Sequence, residues 1–172
     1  MPALRSPLIH PFSNFDVPHL LRVHVEARPD HPFLIWEPFE GEARVWSYAR
    51  FEHEVRQVAA GLKKRGVKQG ERVLIHLDNC PESLIAWYAC AHLGAVAVTT
   101  NARSVADDLI YFSGHAEVVG AITQPAFASL VASLMVFTSF FHGSIFVAGD
   151  FSPNFLRTMS PSFCSSKIRG IS

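Results

Sequence analysis

From Asp16 to about Gln124 this chain alternates short β-forming runs with helical repeats, a pattern that few architectures satisfy. Val17 to Arg28 places Leu20, Leu21 and Val25 on a shared helical face, with Pro18 in the first turn. Phe33 to Glu37 and Ala43 to Trp46 are apolar and aromatic runs separated by Pro38 and Gly41, which predicts a hairpin. Ser47 can cap a helix reaching Arg65, on which Phe51, Val55, Val58, Ala59 and Leu62 form an inward stripe while Glu52, Glu54, Arg56 and Lys63 face water. Gly66 ends that helix, and Arg72 to Leu77 has the near-continuous apolar character of a buried strand.

A second cycle follows the first. Pro81 suits a first helical turn and Glu82 suits its positive end. Leu84, Ile85, Trp87, Tyr88, Ala89, Ala91 and Leu93 then surround the axis, so this helix is expected to be buried on nearly every side. Gly94 stops it, Val96 to Thr100 is the next strand, Ser104 to Phe112 the next helix, and Val118 to Ile122 another strand. Strands alternating with helices predict an α/β fold: a partial doubly wound parallel sheet with flanking helices and right-handed crossovers. Near residue 125 the pattern stops, since Pro125 to Gly149 carries no Asp, Glu, Lys or Arg.

Composition excludes several function classes. Fifteen basic residues against fifteen acidic ones leave a formal net charge of zero, without the electrostatic footprint of a nucleic-acid or anionic-membrane binder. Lys63, Lys64 and Arg65 are read as cations at a helix end, where they complement the dipole. Cys80, Cys90 and Cys164 are odd in number and form no C-x-x-C pair, which argues against a disulfide framework and a zinc site and for a reducing cytoplasm. Residues 1–16 contain Pro2, Pro7 and Pro11 and no long apolar run, and are read as a loose leader.

Open α/β sheets bind ligands at the carboxyl ends of their strands, which singles out the loops Asp78-Asn79-Cys80 and Thr100-Asn101-Ala102-Arg103. Asp and Asn there also serve as turn and capping residues. Cys80 sits where a helix N-terminus would stabilise a thiolate, but no particular histidine is tied to it, so it is read as a small buried residue. The nine histidines are scattered, and His76, inside a strand, is read as a hydrogen-bonded core residue. Glu52 and Glu54 point to different faces of their helix and make no paired-carboxylate site. No G-x-x-x-x-G-K-[ST] or G-x-S-x-G is present, and Gly66 and Gly70 lack the rest of a dinucleotide fingerprint.

The stretch Trp46-Ser47-Tyr48-Ala49-Arg50-Phe51, followed by Val58-Ala59-Ala60-Gly61-Leu62-Lys63-Lys64-Arg65-Gly66-Val67 and Gly70-Glu71-Arg72-Val73, resembles the first core motif region of the AMP-forming acyl-CoA synthetases, in the adenylate-forming ligase superfamily. Leu77-Asp78-Asn79-Cys80-Pro81-Glu82 and the run from Trp87 through Leu93-Gly94-Ala95 to Asn101 resemble the second. The wording is closest to the carnitine or crotonobetaine CoA-ligase-like branch. The resemblance covers about residues 17–131 and implies a parent that activates a carboxylic acid with ATP and magnesium to an acyl-adenylate, then passes the acyl group to coenzyme A. In that family the phosphate loop, the adenine and ribose motifs and the catalytic lysine lie later. Ser113-Gly114-His115 has a Ser-Gly pair but neither the Thr-Thr-Gly nor the lysine, so no catalytic, cofactor-binding or metal-binding residue carries over.

Residues 132–172, with Phe137, Phe140, Phe141, Phe146, Phe151, Phe155 and Phe163, fall outside the resemblance. Three explanations stay open: an out-of-frame or unspliced translation, a membrane segment, or a divergent piece of core. Residues 125–149 are long enough to span a bilayer, yet Ser129, Ser133, Thr138, Ser139, His142 and Ser144 dilute them and no Lys or Arg cluster flanks them. The chain is thus expected to be part of an acid–CoA ligase without activity of its own. The alternative is a non-catalytic interaction or membrane-tethered protein. Self-association through exposed apolar surface is expected in either case.

Overall fold

A computed structural model describes residues 15–39, 41–137 and 144–147. Helix α1 (Val17–Ala27) begins at Asp16, whose carboxylate accepts from the His19 amide at 2.7 Å. Leu21 is the residue α1 buries and Val25 packs beside it, but Leu20 is 46% exposed and is not on the expected shared face. Strands β1 (Pro32–Trp36) and β2 (Arg44–Ser47) pair antiparallel as a separate two-stranded sheet, the expected hairpin. Helix α2 (Tyr48–Lys64) follows directly, and the Ser47 hydroxyl accepts from the Arg50 amide at 3.3 Å. Its predicted stripe, Phe51, Val55, Val58, Ala59 and Leu62, is buried throughout, and Gly66 takes a φ of 94° just past its end. Phe33 packs at a tilt against Tyr48 and Phe51 with centroids 5.0 and 4.6 Å apart, and Tyr88 meets Phe51 edge-on at 5.1 Å, which seats the hairpin on the helices.

The main sheet holds β3 (Arg72–His76), β4 (Val96–Thr99), β5 (Val118–Thr123) and β6 (Ser144–Val147), all parallel and in the order β4-β3-β5-β6. Alternate side chains of β3 enter different cores, as a strand's two-residue period requires. Val73 and Ile75 join the cluster beneath α1, α2 and α3 (Pro81–Leu93), whereas Leu74 joins Leu109, Val118, Ala121, Val131 and Leu134 beneath α4 (Ala106–His115) and α5 (Ala128–Phe137). Helices therefore cover both faces, giving the doubly wound α/β arrangement expected.

Three expectations need correction. Helix α3 is not buried all round: Ile85, Ala86, Ala89 and Cys90 face the core, but Trp87 is 38% exposed and His92 lies outside. Among the described residues α1, α2 and the hairpin pack beside it, and its outer flank stays open. Helix α4 starts at Ala106 rather than Ser104, because Val105 is extended and its amide donates to Asp108, and it runs on to His115. Finally, the alternation does not stop at residue 125. Helix α5 and strand β6 continue it, with Val131 and Leu134 buried and Gly120 to Thr123 of β5 in register with Ser144 to Val147 of β6. Helix α5 reads ASLVASLMVF, so it has no charged stripe to reveal its period.

Its ten residues extend about 15 Å, half a hydrocarbon core. Among the described residues no helix is long and apolar enough to cross a membrane. Residues 138–143 and 148–149 of the proposed span, together with Phe151, Phe155, Phe163, Cys164 and most of the leader, lie outside the described residues.

Candidate functional site

After β3 the chain lays β4 on one side and then crosses to place β5 on the other, so winding reverses between β3 and β5. The carboxyl edge at such a reversal is where open α/β sheets form ligand crevices. Both predicted loops reach this edge, and hydrogen bonds to the ends of β3 and β5 occupy it. Gln124 bridges the reversal: its side-chain oxygen accepts from the Asp78 amide at 3.0 Å and its amide group donates to the Asp78 carboxylate at 2.9 Å. The Thr123 hydroxyl donates to the His76 carbonyl at 3.0 Å. On the other side Thr100 donates its hydroxyl to the Ile75 carbonyl at 3.3 Å and lies 2.9 Å from His76 Nδ1.

His76 is fully buried, in agreement with its reading as a hydrogen-bonded core residue. Its Nε2 has no hydrogen-bond partner, and the Phe127 ring packs against the imidazole with centroids 4.8 Å apart. Burial pulls its pKa below the ordinary histidine value, and the Asp78 carboxylate pulls partly back. Asn101 forms a turn, accepting from the Arg103 amide at 2.9 Å through its side chain. Thr123, Gln124 and Phe127 were not identified from sequence. The available signal was a Thr-Gln pair closing an apolar strand at the predicted carboxyl edge.

Asn79, Cys80, Pro81, Ser83, Leu84, Trp87, Thr99, Leu34 and Trp36 line an open cleft of about 370 Å³ between the hairpin and α3. Cys80 is half-buried at the N-cap of α3, not the buried residue of the plainer reading, because the cleft opens beside it. Cys90 is the buried thiol, pushed up to about 12 by loss of solvent.

Glu82, in the first turn of α3 as expected, is only 3% exposed and pairs with Arg44 of β2 at 3.4 Å. Glu52 and Glu54 do sit apart, but neither side chain is freely solvated. Glu52 pairs with Arg56, while Glu54 accepts from the Trp46 indole at 3.0 Å and from Arg50 at 3.2 Å. Arginines one helical turn away shield both. Lys63, Lys64 and Arg65 are exposed at the end of α2, where Arg65 donates to the Gly61 carbonyl at 3.4 Å.

The sequence profile of the family described as "AMP-binding enzyme" matches residues 21–141, ten residues beyond the extent of the resemblance. A crotonobetaine/carnitine–CoA ligase of Salmonella paratyphi A is 34% identical over 102 residues, covering 59% of this chain and 20% of the ligase. The ligase of the same name from Salmonella typhimurium is 35% identical over 98 residues, 57% of this chain and 19% of that protein. The chain thus spans about a fifth of the length of these curated relatives. Among solved structures, the anthranilate CoA ligase AuaEII in complex with anthranoyl-AMP superposes with a TM-score of 0.70 at 21% identity, over 83% of this chain and 27% of that one. The N-terminal domain of FACL13 from Mycobacterium tuberculosis gives 0.69 at 21% identity, over 90% of this chain and 39% of the domain.

Proposed function

Because the chain belongs to the AMP-binding enzyme family, we propose that it supplies scaffold from an ATP-dependent acid–CoA ligase and performs no adenylation by itself. The full-length parent would use ATP and magnesium to convert a carboxylic acid to an acyl-adenylate, and coenzyme A to receive the acyl group. Nucleotidyl transfer needs a triphosphate clamped by converging amides, cations and a metal. The described residues do not fit that demand. The carboxylate nearest the reversal, that of Asp78, is engaged by Gln124, and among the described residues no three His, Cys, Asp or Glu side chains converge as metal ligands. The observation that carries this reading is the carboxyl edge itself, where Gln124, Thr123 and Thr100 bond to Asp78, the His76 carbonyl and the Ile75 carbonyl and present no cradle.

A cytoplasmic setting, no nucleic-acid partner and self-association through exposed apolar groups belong to the same proposal. Zero net charge supports the second, and exposed Trp87, Val96, Ile35 and Val45 support the third. Acid-dependent pyrophosphate–ATP exchange tests the central point. The purified chain is expected to show none with any carboxylic acid, and exchange above background that disappears without magnesium would overturn it.

A further inference from the structure

We propose that the Pro125–Phe127 turn is an acid-released cover: charging His76 drives Phe127 away from the imidazole and opens the carboxyl edge between β3 and β5 to water. The argument starts from hydrogen-bond accounting. His76 is 0% exposed, its Nδ1 is 2.9 Å from the Thr100 hydroxyl, and its Nε2 has no partner. When the Thr100 hydroxyl donates to the Ile75 carbonyl, Nδ1 carries the proton and Nε2 is a bare lone pair. When that hydroxyl turns to Nδ1 instead, Nε2 carries the proton. The charged ring has both protons, so in either case it carries an N–H at Nε2 that meets no acceptor, with the Phe127 ring packed against the imidazole. A buried charge-bearing donor left unsatisfied is costly, and relief requires water.

The cover is built to yield before the sheet does. Pro125 and Ala126 are exposed and only Phe127 turns inward; the turn is held by the Phe127 amide on the Gln124 carbonyl at 2.9 Å and the Ala128 amide on the Pro125 carbonyl at the start of α5. Gln124 stays fastened to Asp78 by two hydrogen bonds, so the turn can swing without separating β3 from β5. The groups facing His76 are Thr100 from the β4 loop, Thr123 from β5, Phe127 from the turn and Asp78 from its own strand's exit. Of these Asp78 is the titratable one.

The sign follows from the two forms. In the closed form burial lowers the imidazole pKa, with Asp78 opposing. In the open form the ring regains the ordinary value of about 6.5. The open form therefore takes the proton, and closure is stable above that value and lost as pH falls through it.

Hydrogen–deuterium exchange on the full 172-residue chain tests the proposal, comparing amides of residues 124–128 with those of 72–76 after correction for the intrinsic pH dependence. Between about pH 7 and about pH 5.5 protection over 124–128 should fall by up to about tenfold while 72–76 holds, the ratio set by one proton taken up at an ordinary histidine pKa. His76→Gln should abolish the pH response. Should that variant not fold, Phe127→Ala serves, with low protection over 124–128 at both pH values. Parallel loss over 72–76 would mean global unfolding and overturn the proposal. So would an unchanged pH response in either variant.

Discussion

Replacing Leu62 with alanine tests whether the apolar stripe of α2 is the core the fold depends on. Leu62 is 0% exposed in the cluster beneath the sheet, with Phe51, Val55, Val58 and Val67. The change removes three carbons, worth about 2.4 kcal/mol at about 0.8 kcal/mol each. Whether a void adds to this depends on how far the neighbours collapse. Leu62 lies in the last turn of α2, where its carbonyl accepts from the Arg65 and Val67 amides, both at 3.1 Å, so the backbone is pinned and collapse is incomplete. Roughly 50 Å³ left unfilled would add about 1.2 kcal/mol, for a total of about 3 to 4 kcal/mol. Urea unfolding followed by far-ultraviolet circular dichroism measures this as a midpoint shift of about 1 to 4 M at unchanged slope. A loss below about 1 kcal/mol would place Leu62 at the surface and refute the assigned face.

Ser47→Ala should cost about 1 kcal/mol through loss of the α2 cap, and an unchanged denaturation midpoint would show the helix is held elsewhere. Arg44→Ala should cost about 3 kcal/mol, because it leaves the Glu82 carboxylate buried without its partner, and adding Glu82→Gln should recover part of it. A single-variant cost under about 1 kcal/mol would class the pair with screened surface ion pairs. Truncation after Val131 should destabilise the sheet by removing buried Leu134 and strand β6, and a truncated chain with an unchanged melting curve would show that both are dispensable.

Legibility varied with the local physics. Helix α2 was readable because cap, apolar stripe and terminal glycine all signal the same span within twenty residues. Helix α5 was not, since a helix without charged residues has no contrast from which to read a period, and β6 followed it into obscurity. The place of Glu82 in the first turn was local and readable, but its partner was not, since Arg44 comes from a hairpin strand 38 residues earlier. The carboxyl edge was located from alternation alone, yet its occupant was missed. Gln124 meets Asp78 across 46 residues, and nothing near Gln124 announces a partner at that distance.

The placement of β3 between β4 and β5 also has a consequence during synthesis. Ile75 pairs with Thr99 on one side and with Ile122 on the other, so its second flank waits for a segment made considerably later. At roughly 5 to 20 residues per second, the interval between the two partners lasts on the order of one to five seconds. Throughout it a strand carrying Val73, Leu74 and Ile75 keeps one row of amides and carbonyls unmatched. The nascent chain is then most vulnerable to pairing with a neighbour, and β3 is the segment a ribosome-associated chaperone would need to shield.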